Sequence, residues 1–99
     1  MSIARIGECR AKEGQAEEVA EFIQSVIVPG VLSSTGCQSC EAWQSDDEPT
    51  RFTIIEIWDS VEAHQNAVMQ IDPADIARFR EIVAEMTSAG YFSRTRGKE

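Results

Sequence analysis

The run Arg51-Phe52-Thr53-Ile54-Ile55-Glu56-Ile57-Trp58 constrains this chain more than any other stretch. It is rich in β-branched and aromatic residues and reads as a strand. Side chains alternate across a strand, so Phe52, Ile54, Glu56 and Trp58 share one face and Ile55 and Ile57 the other. A strand apolar on both sides needs cover on both sides. A chain of 99 residues carries enough helix to cover one face of its sheet. A second copy of the chain is the simplest cover for the other. That predicts a symmetric homodimer whose subunits enclose apolar space suited to a small molecule.

Charge and cysteine usage narrow the classes. Seventeen acidic against nine basic residues give a formal charge of −8. Nucleic acid and anionic membrane both need a basic footprint, so neither is an expected partner. The acidity reads as a solvated surface. An apolar share of 42% is that of a globular chain rather than a disordered one. No apolar run approaches the roughly 18 residues of a membrane span. Met1-Ser2-Ile3-Ala4-Arg5 begins a strand pattern and lacks a signal-peptide core. Three cysteines, an odd count, argue against a disulfide framework and for a reducing, cytoplasmic setting.

One domain is expected over residues 1–99, with no linker or repeat. Ile3 to Arg10 reads as a first strand, and Lys12-Glu13-Gly14 as a turn. From Gln15, the residues Ala16, Val19, Ala20, Ile23, Val26 and Ile27 keep helical spacing. Pro29 and Gly30 should end or kink that helix, with Val31 and Leu32 in a final turn. Ser33 to Gly36 is a loop. Cys37 to Gln44 is a second strand, joined to the third by a turn over Ser45 to Thr50. Asp59 and Glu62 form a capping-box-like pair for a short helix with Val61, His64 and Val68 inward. Asp72-Pro73 starts a further helix, striped by Ile76, Phe79, Ile82, Val83 and Met86 and ended by Gly90. Tyr91 to Arg96 forms a last strand, and residues 96–99 fray. The order is that of a split βαβ, an α+β ferredoxin-like fold with an antiparallel sheet.

The usual catalytic signatures are missing: no phosphate loop, no nucleophile elbow, no helical histidine pair for zinc. No metal site is expected from the spacing of carboxylates and thiols. Cys37-Gln38-Ser39-Cys40 has the spacing of a redox pair. It enters a strand, however, where residues three apart face opposite sides, and no helix N-terminus activates it. Both cysteines, like Cys9, read as small buried apolar residues. Trp58 ends the central strand as either a core residue or a pocket wall with an N–H to donate. His64, the one histidine, is either a satisfied core residue or a general base. Arg78 and Arg80 flank the last stripe, as solvated positions or as anion binders. Glu56, between Ile54 and Trp58, must be paired or partly wet, and a structural hydrogen bond or ion pair is expected.

Taken in order along the chain, several motifs resemble the antibiotic biosynthesis monooxygenase family, whose members include quinol monooxygenase-like proteins. They are Arg10-Ala11-Lys12-Glu13-Gly14, Val28-Pro29-Gly30-Val31-Leu32, Gly36-Cys37, Pro49-Thr50-Arg51-Phe52, Glu56-Ile57-Trp58 and Ser60-Val61-Glu62-Ala63. The resemblance spans nearly the whole chain and implies a ferredoxin-like dimer, a dimeric α+β barrel. It implies more about fold than reaction. Some members oxygenate phenols or quinols without metal or flavin, some degrade haem, and others have no assigned activity. In cofactor-free oxygenation the substrate supplies the electrons, and the protein favours its deprotonated form and excludes water. Trp58 stands at the family's strand-end tryptophan, and His64 where aromatic-polyketide members can place a polar aromatic residue. Ala67 stands where many quinol-type members carry histidine and haem degraders tryptophan. Gly7 stands where haem degraders carry asparagine. Haem degradation is therefore the least favoured family activity, and quinol oxidation is weakened.

The expectation is a homodimeric, cofactor-independent monooxygenase for a small aromatic phenol or quinol. Trp58 lines the pocket and donates a hydrogen bond, His64 is base or substrate anchor, and Arg78 binds an anion. The alternative is a non-catalytic homodimer that binds a small apolar ligand.

Overall fold

Strand β1 (Ile3–Ala11) pairs antiparallel with β3 (Arg51–Trp58) on one side and with β4 (Val83–Phe92) on the other. Strand β2 (Cys37–Gln44) pairs antiparallel with β3, so the sheet runs β2-β3-β1-β4. One helical run joins β1 to β2: α1 (Ala16–Phe22), a π-helical turn (Ile23–Ile27) and α2 (Val28–Leu32). Helices α3 (Val61–Val68) and α4 (Pro73–Ile82) join β3 to β4. This is the expected α+β, ferredoxin-like split βαβ. It is a computed structural model describing residues 2–96, so 97–99 of the expected frayed end lie outside the described residues.

The register settles the faces. Ile3, Gly7 and Cys9 of β1 lie opposite Trp58, Ile54 and Phe52 of β3, so all six point to the helical side. There Cys9, Ala11, Phe52, Val19, Phe22, Ile23, Ile82 and Val83 form the buried core. Ile6, Ile55 and Ile57 point the other way and are half-buried, joined there by exposed Trp43 and Phe92. The two-sided reading of β3 is correct. No helix covers the second face among the described residues. Its far end is polar, with ion pairs between Glu8 and Arg51 and between Arg10 and Glu85.

Four local expectations need correction. Pro29 neither ends nor breaks the first helical run. It sits in the first turn of α2, where a missing N–H costs least. The π-turn before it shifts bonding to a wider span, Val28 N–H donating to the Ile23 carbonyl. Helix α3 is capped by Ser60, whose hydroxyl accepts from the Ala63 N–H at 3.1 Å, not by Asp59. Val68 on α3 is exposed rather than inward. The last helix stops at Ile82, and Val83 turns into an extended strand running to Phe92, so neither the Gly90 stop nor a strand over Tyr91–Arg96 holds. The buried pair Ile82 and Val83 fits both a helical stripe and an inward strand start. Pairing along β1, which would otherwise be an open edge, decides for strand.

Gly36 closes the loop before β2 at φ +87°, and a Cβ there would lie 2.7 Å from the Ala63 Cβ. Gly14 has a similar φ of +78° in open space. Gly14→Ala should therefore cost only backbone strain, on the order of 1 kcal/mol. Gly36→Ala should cost about 2–3 kcal/mol by urea denaturation, because α3 must also move. Equal losses in the two variants would show that the Gly36–Ala63 approach is not tight.

Candidate functional site

The site grows from one row across the sheet. Arg5 on β1 lies opposite Glu56 of β3 on one side and Tyr91 of β4 on the other. All three therefore face the helices, and Cys40 of β2, opposite Glu56, extends the row. Trp58, two residues beyond Glu56 on the same face, is 1% exposed. Its Nε1–H donates to Glu56 Oε1 at 2.8 Å. That bond is the partner the sequence demanded for a carboxylate on an apolar face.

The Ser60 cap starts α3 directly beyond Trp58 and brings His64 down onto this row. The imidazole meets the Trp58 ring edge-on, centroids 5.5 Å apart at 75°. Its Nε2 is 4.0 Å from Glu56 Oε1. Its Nδ1 is 2.7 Å from the Tyr91 hydroxyl oxygen, with the two rings edge-to-face at 5.4 Å. The Arg5 guanidinium stacks 4.7 Å above the Tyr91 ring, a cation–π contact.

Burial pushes the Glu56 carboxyl above the usual range, while the Trp58 N–H and Arg5 pull it back. Burial, and then the Arg5 charge, holds His64 below its ordinary value. The two groups are thus drawn toward each other in basicity, a pattern common at proton-transfer sites. The thiols move away from reactivity. Burial lifts Cys9 to about 11 and Cys40 to about 12, and raises Cys37, with the Glu56 charge adding to the last two. All three are free. The expected divergence of Cys37 and Cys40 does not hold. A register shift at Gln38 sets Cys37 opposite Trp58 and Cys40 opposite Glu56, so both face the helices.

Between this row and the helices opens a cleft of about 1290 Å³. Arg5, Glu56, Trp58 and His64 line it, with an apolar wall that includes Phe22, Ile54, Ile76 and Phe79. Gly7 and Ala67 also line it, and both are small where a larger side chain would fill space. Ligand pockets are commonly about 300–1,000 Å³, so there is room for more than one aromatic ring. The cleft lies within one chain, between sheet and helices. Among the described residues, no three His, Cys, Asp or Glu side chains gather as metal ligands.

Trp58 and His64, expected to converge on one pocket mouth, do meet here. Arg78 does not join them. It sits exposed on α4, 4.0 Å from Glu81, beside a shallow depression lined by Glu17, Glu18 and Glu21. Those carboxylates make it a poor place for an anion. Sequence reasoning missed Arg5 and Tyr91. Each looks like an ordinary strand residue until the register is known.

Residues 2–68 match the sequence model of the family described as antibiotic biosynthesis monooxygenase. A solved structure of a Chloroflexus aurantiacus protein named for the same family is 26% identical, with a TM-score of 0.78 over 100% of this chain and 98% of its own. A Pseudomonas aeruginosa protein superposes with a TM-score of 0.82 at 17% identity, covering 96% of this chain and 95% of its own. SnoaB, a cofactor-independent oxygenase from Streptomyces nogalater, superposes with a TM-score of 0.80 at 12% identity, covering 97% and 95%. The last two likenesses speak for the fold alone. No curated protein matches the chain.

Proposed function

This chain belongs to the antibiotic biosynthesis monooxygenase family, and on that footing we propose that it oxygenates a small aromatic phenol or quinol without metal or flavin. The observation that carries this reading is the Glu56–Trp58–His64 cluster on the wall of a largely apolar cleft. Aliphatic and aromatic side chains take the ring system, and a few polar groups meet its hydroxyl. His64 presents its imidazole to that hydroxyl and Trp58 closes the inner wall. Ionising a phenol makes it electron-rich enough to give electrons to oxygen, and exclusion of water protects the intermediate. Oxygen uptake with a panel of hydroquinones and naphthols tests this. Turnover of at least one is expected; tight binding of several without uptake would leave a ligand-binding protein.

The same proposal makes the chain a single-domain homodimer, closing sheet to sheet into an α+β barrel. Its support is the half-buried Ile6, Ile55 and Ile57 beside exposed Trp43 and Phe92 on the uncovered face. Light scattering at micromolar concentration should give twice the chain mass, with at least about 1,000 Å² buried. Ile57→Asp should give monomers. A wild-type monomer would remove the barrel but leave the cleft, which one chain builds alone. No helix among the described residues is long and apolar enough to cross a membrane. With its three free thiols we place the protein in the cytoplasm.

A further inference from the structure

Resting on that oxygenation reading, we infer that Glu56, not His64, accepts the substrate's proton, and that Tyr91 is a positioning residue that fixes His64 as a hydrogen-bond donor. Glu56 Oε1 accepts the Trp58 N–H, so it acts as an acceptor whether or not the carboxyl carries a proton. His64 Nε2 faces this same oxygen at 4.0 Å. That is beyond hydrogen-bond reach, but the negative charge of the carboxylate favours an N–H over a lone pair facing it, so Nε2 carries the hydrogen. The bare nitrogen of neutral His64 is then Nδ1, and the Tyr91 hydroxyl donates to it at 2.7 Å.

That arrangement leaves His64 with no free lone pair toward the cleft, although its side chain is nearly enclosed. The base that remains on the cleft wall is the carboxylate of Glu56, whose second oxygen has no hydrogen-bond partner among the described residues. The step balances simply. The phenol O–H breaks, its proton moves to the Glu56 carboxylate, and the charge passes to the phenolate oxygen. The His64 Nε2–H, not held in a hydrogen bond to Glu56, is then free to donate to the new anion, while the Trp58 N–H stays on Glu56 Oε1. The groups facing Glu56 are Arg5 from β1, Cys37 and Cys40 from β2, Trp58 on its own strand and His64 from α3. Of these only Arg5 carries fixed charge. Tyr91 is not itself on the cleft wall and lies beyond the residues that match the family model.

His64 is the chain's single histidine, so its imidazole nitrogens can be read without overlap. In 15N-labelled protein near neutral pH and without substrate, Nε2 should be protonated and Nδ1 unprotonated and hydrogen-bonded. Tyr91→Phe should remove the hydrogen-bond shift at Nδ1 while the amide spectrum stays that of the folded protein. A protonated Nδ1 in the wild type overturns the inference. With a turned-over quinol, Glu56→Gln, which keeps an oxygen for Trp58, should lower kcat by roughly 10²–10⁴ and abolish the acidic limb of the pH profile. His64→Gln, which keeps an N–H donor, should retain that limb. If the limb disappears with His64→Gln and survives Glu56→Gln, His64 is the base. A wild type with the expected tautomer but no oxygen uptake on any quinol or naphthol defeats the oxygenation reading and the base role, while the positioning by Tyr91 stands.

Discussion

His64→Ala should lower turnover of the best quinol substrate by roughly 10²–10⁴, the range for losing a base or an oxyanion donor. The fold should survive. The side chain packs edge-on against Trp58 and Tyr91, but it is not part of the main core between sheet and helices. Steady-state kinetics beside a thermal melt separate the two effects. Reduced kcat at a melting temperature within a few degrees of wild type fits the account. A large melting shift with unchanged kcat would make His64 a structural residue only.

Trp58→Ala should be the most destabilising single change at the site. The indole is 1% exposed, and truncating a buried aromatic costs about 3–5 kcal/mol. It also leaves the half-buried Glu56 carboxyl without its N–H donor, a further cost of about 1–3 kcal/mol. For a chain this size each kcal/mol lowers the melting temperature by about 4–8 °C. Trp58→Phe helps separate the two contributions, since it keeps a six-membered aromatic ring while removing the donor. It should lose about 1–3 kcal/mol by urea denaturation. Near-equal losses for the alanine and phenylalanine variants would mean that the hydrogen bond, not the packing, holds Trp58.

Local pattern carried the fold a long way. The alternation in Arg51–Trp58 fixed which side chains share a face, and the turn chemistry over Ser45 to Thr50 joined the right strands. The errors lie where tertiary pairing outweighs local preference. Glu85 and Met86 are helix formers, yet they pair with β1. Cys37 and Cys40 share a face because of a bulge that no spacing rule anticipates. The site divides the same way. Trp58 and His64 are six residues apart across a strand end and a helix start, so their convergence was legible. Arg5 and Tyr91 join them only through the pairing of strands far apart in sequence. Arg78 shows the converse. Its place beside an apolar stripe suggested a ligand contact, while the fold sets it among carboxylates.

The central claim is that ligand enters the helix-covered cleft rather than the open face of the sheet. The two tryptophans report on these places separately. Trp58 lies on the cleft wall, whereas Trp43 is 59% exposed and points to the uncovered face. Titration with a naphthol or hydroquinone, followed by tryptophan fluorescence, reads both. Trp43→Phe should retain the quenching or spectral shift, and Trp58→Phe should lose it. A response that vanishes in Trp43→Phe and survives in Trp58→Phe would put the ligand on the opposite face and contradict the account.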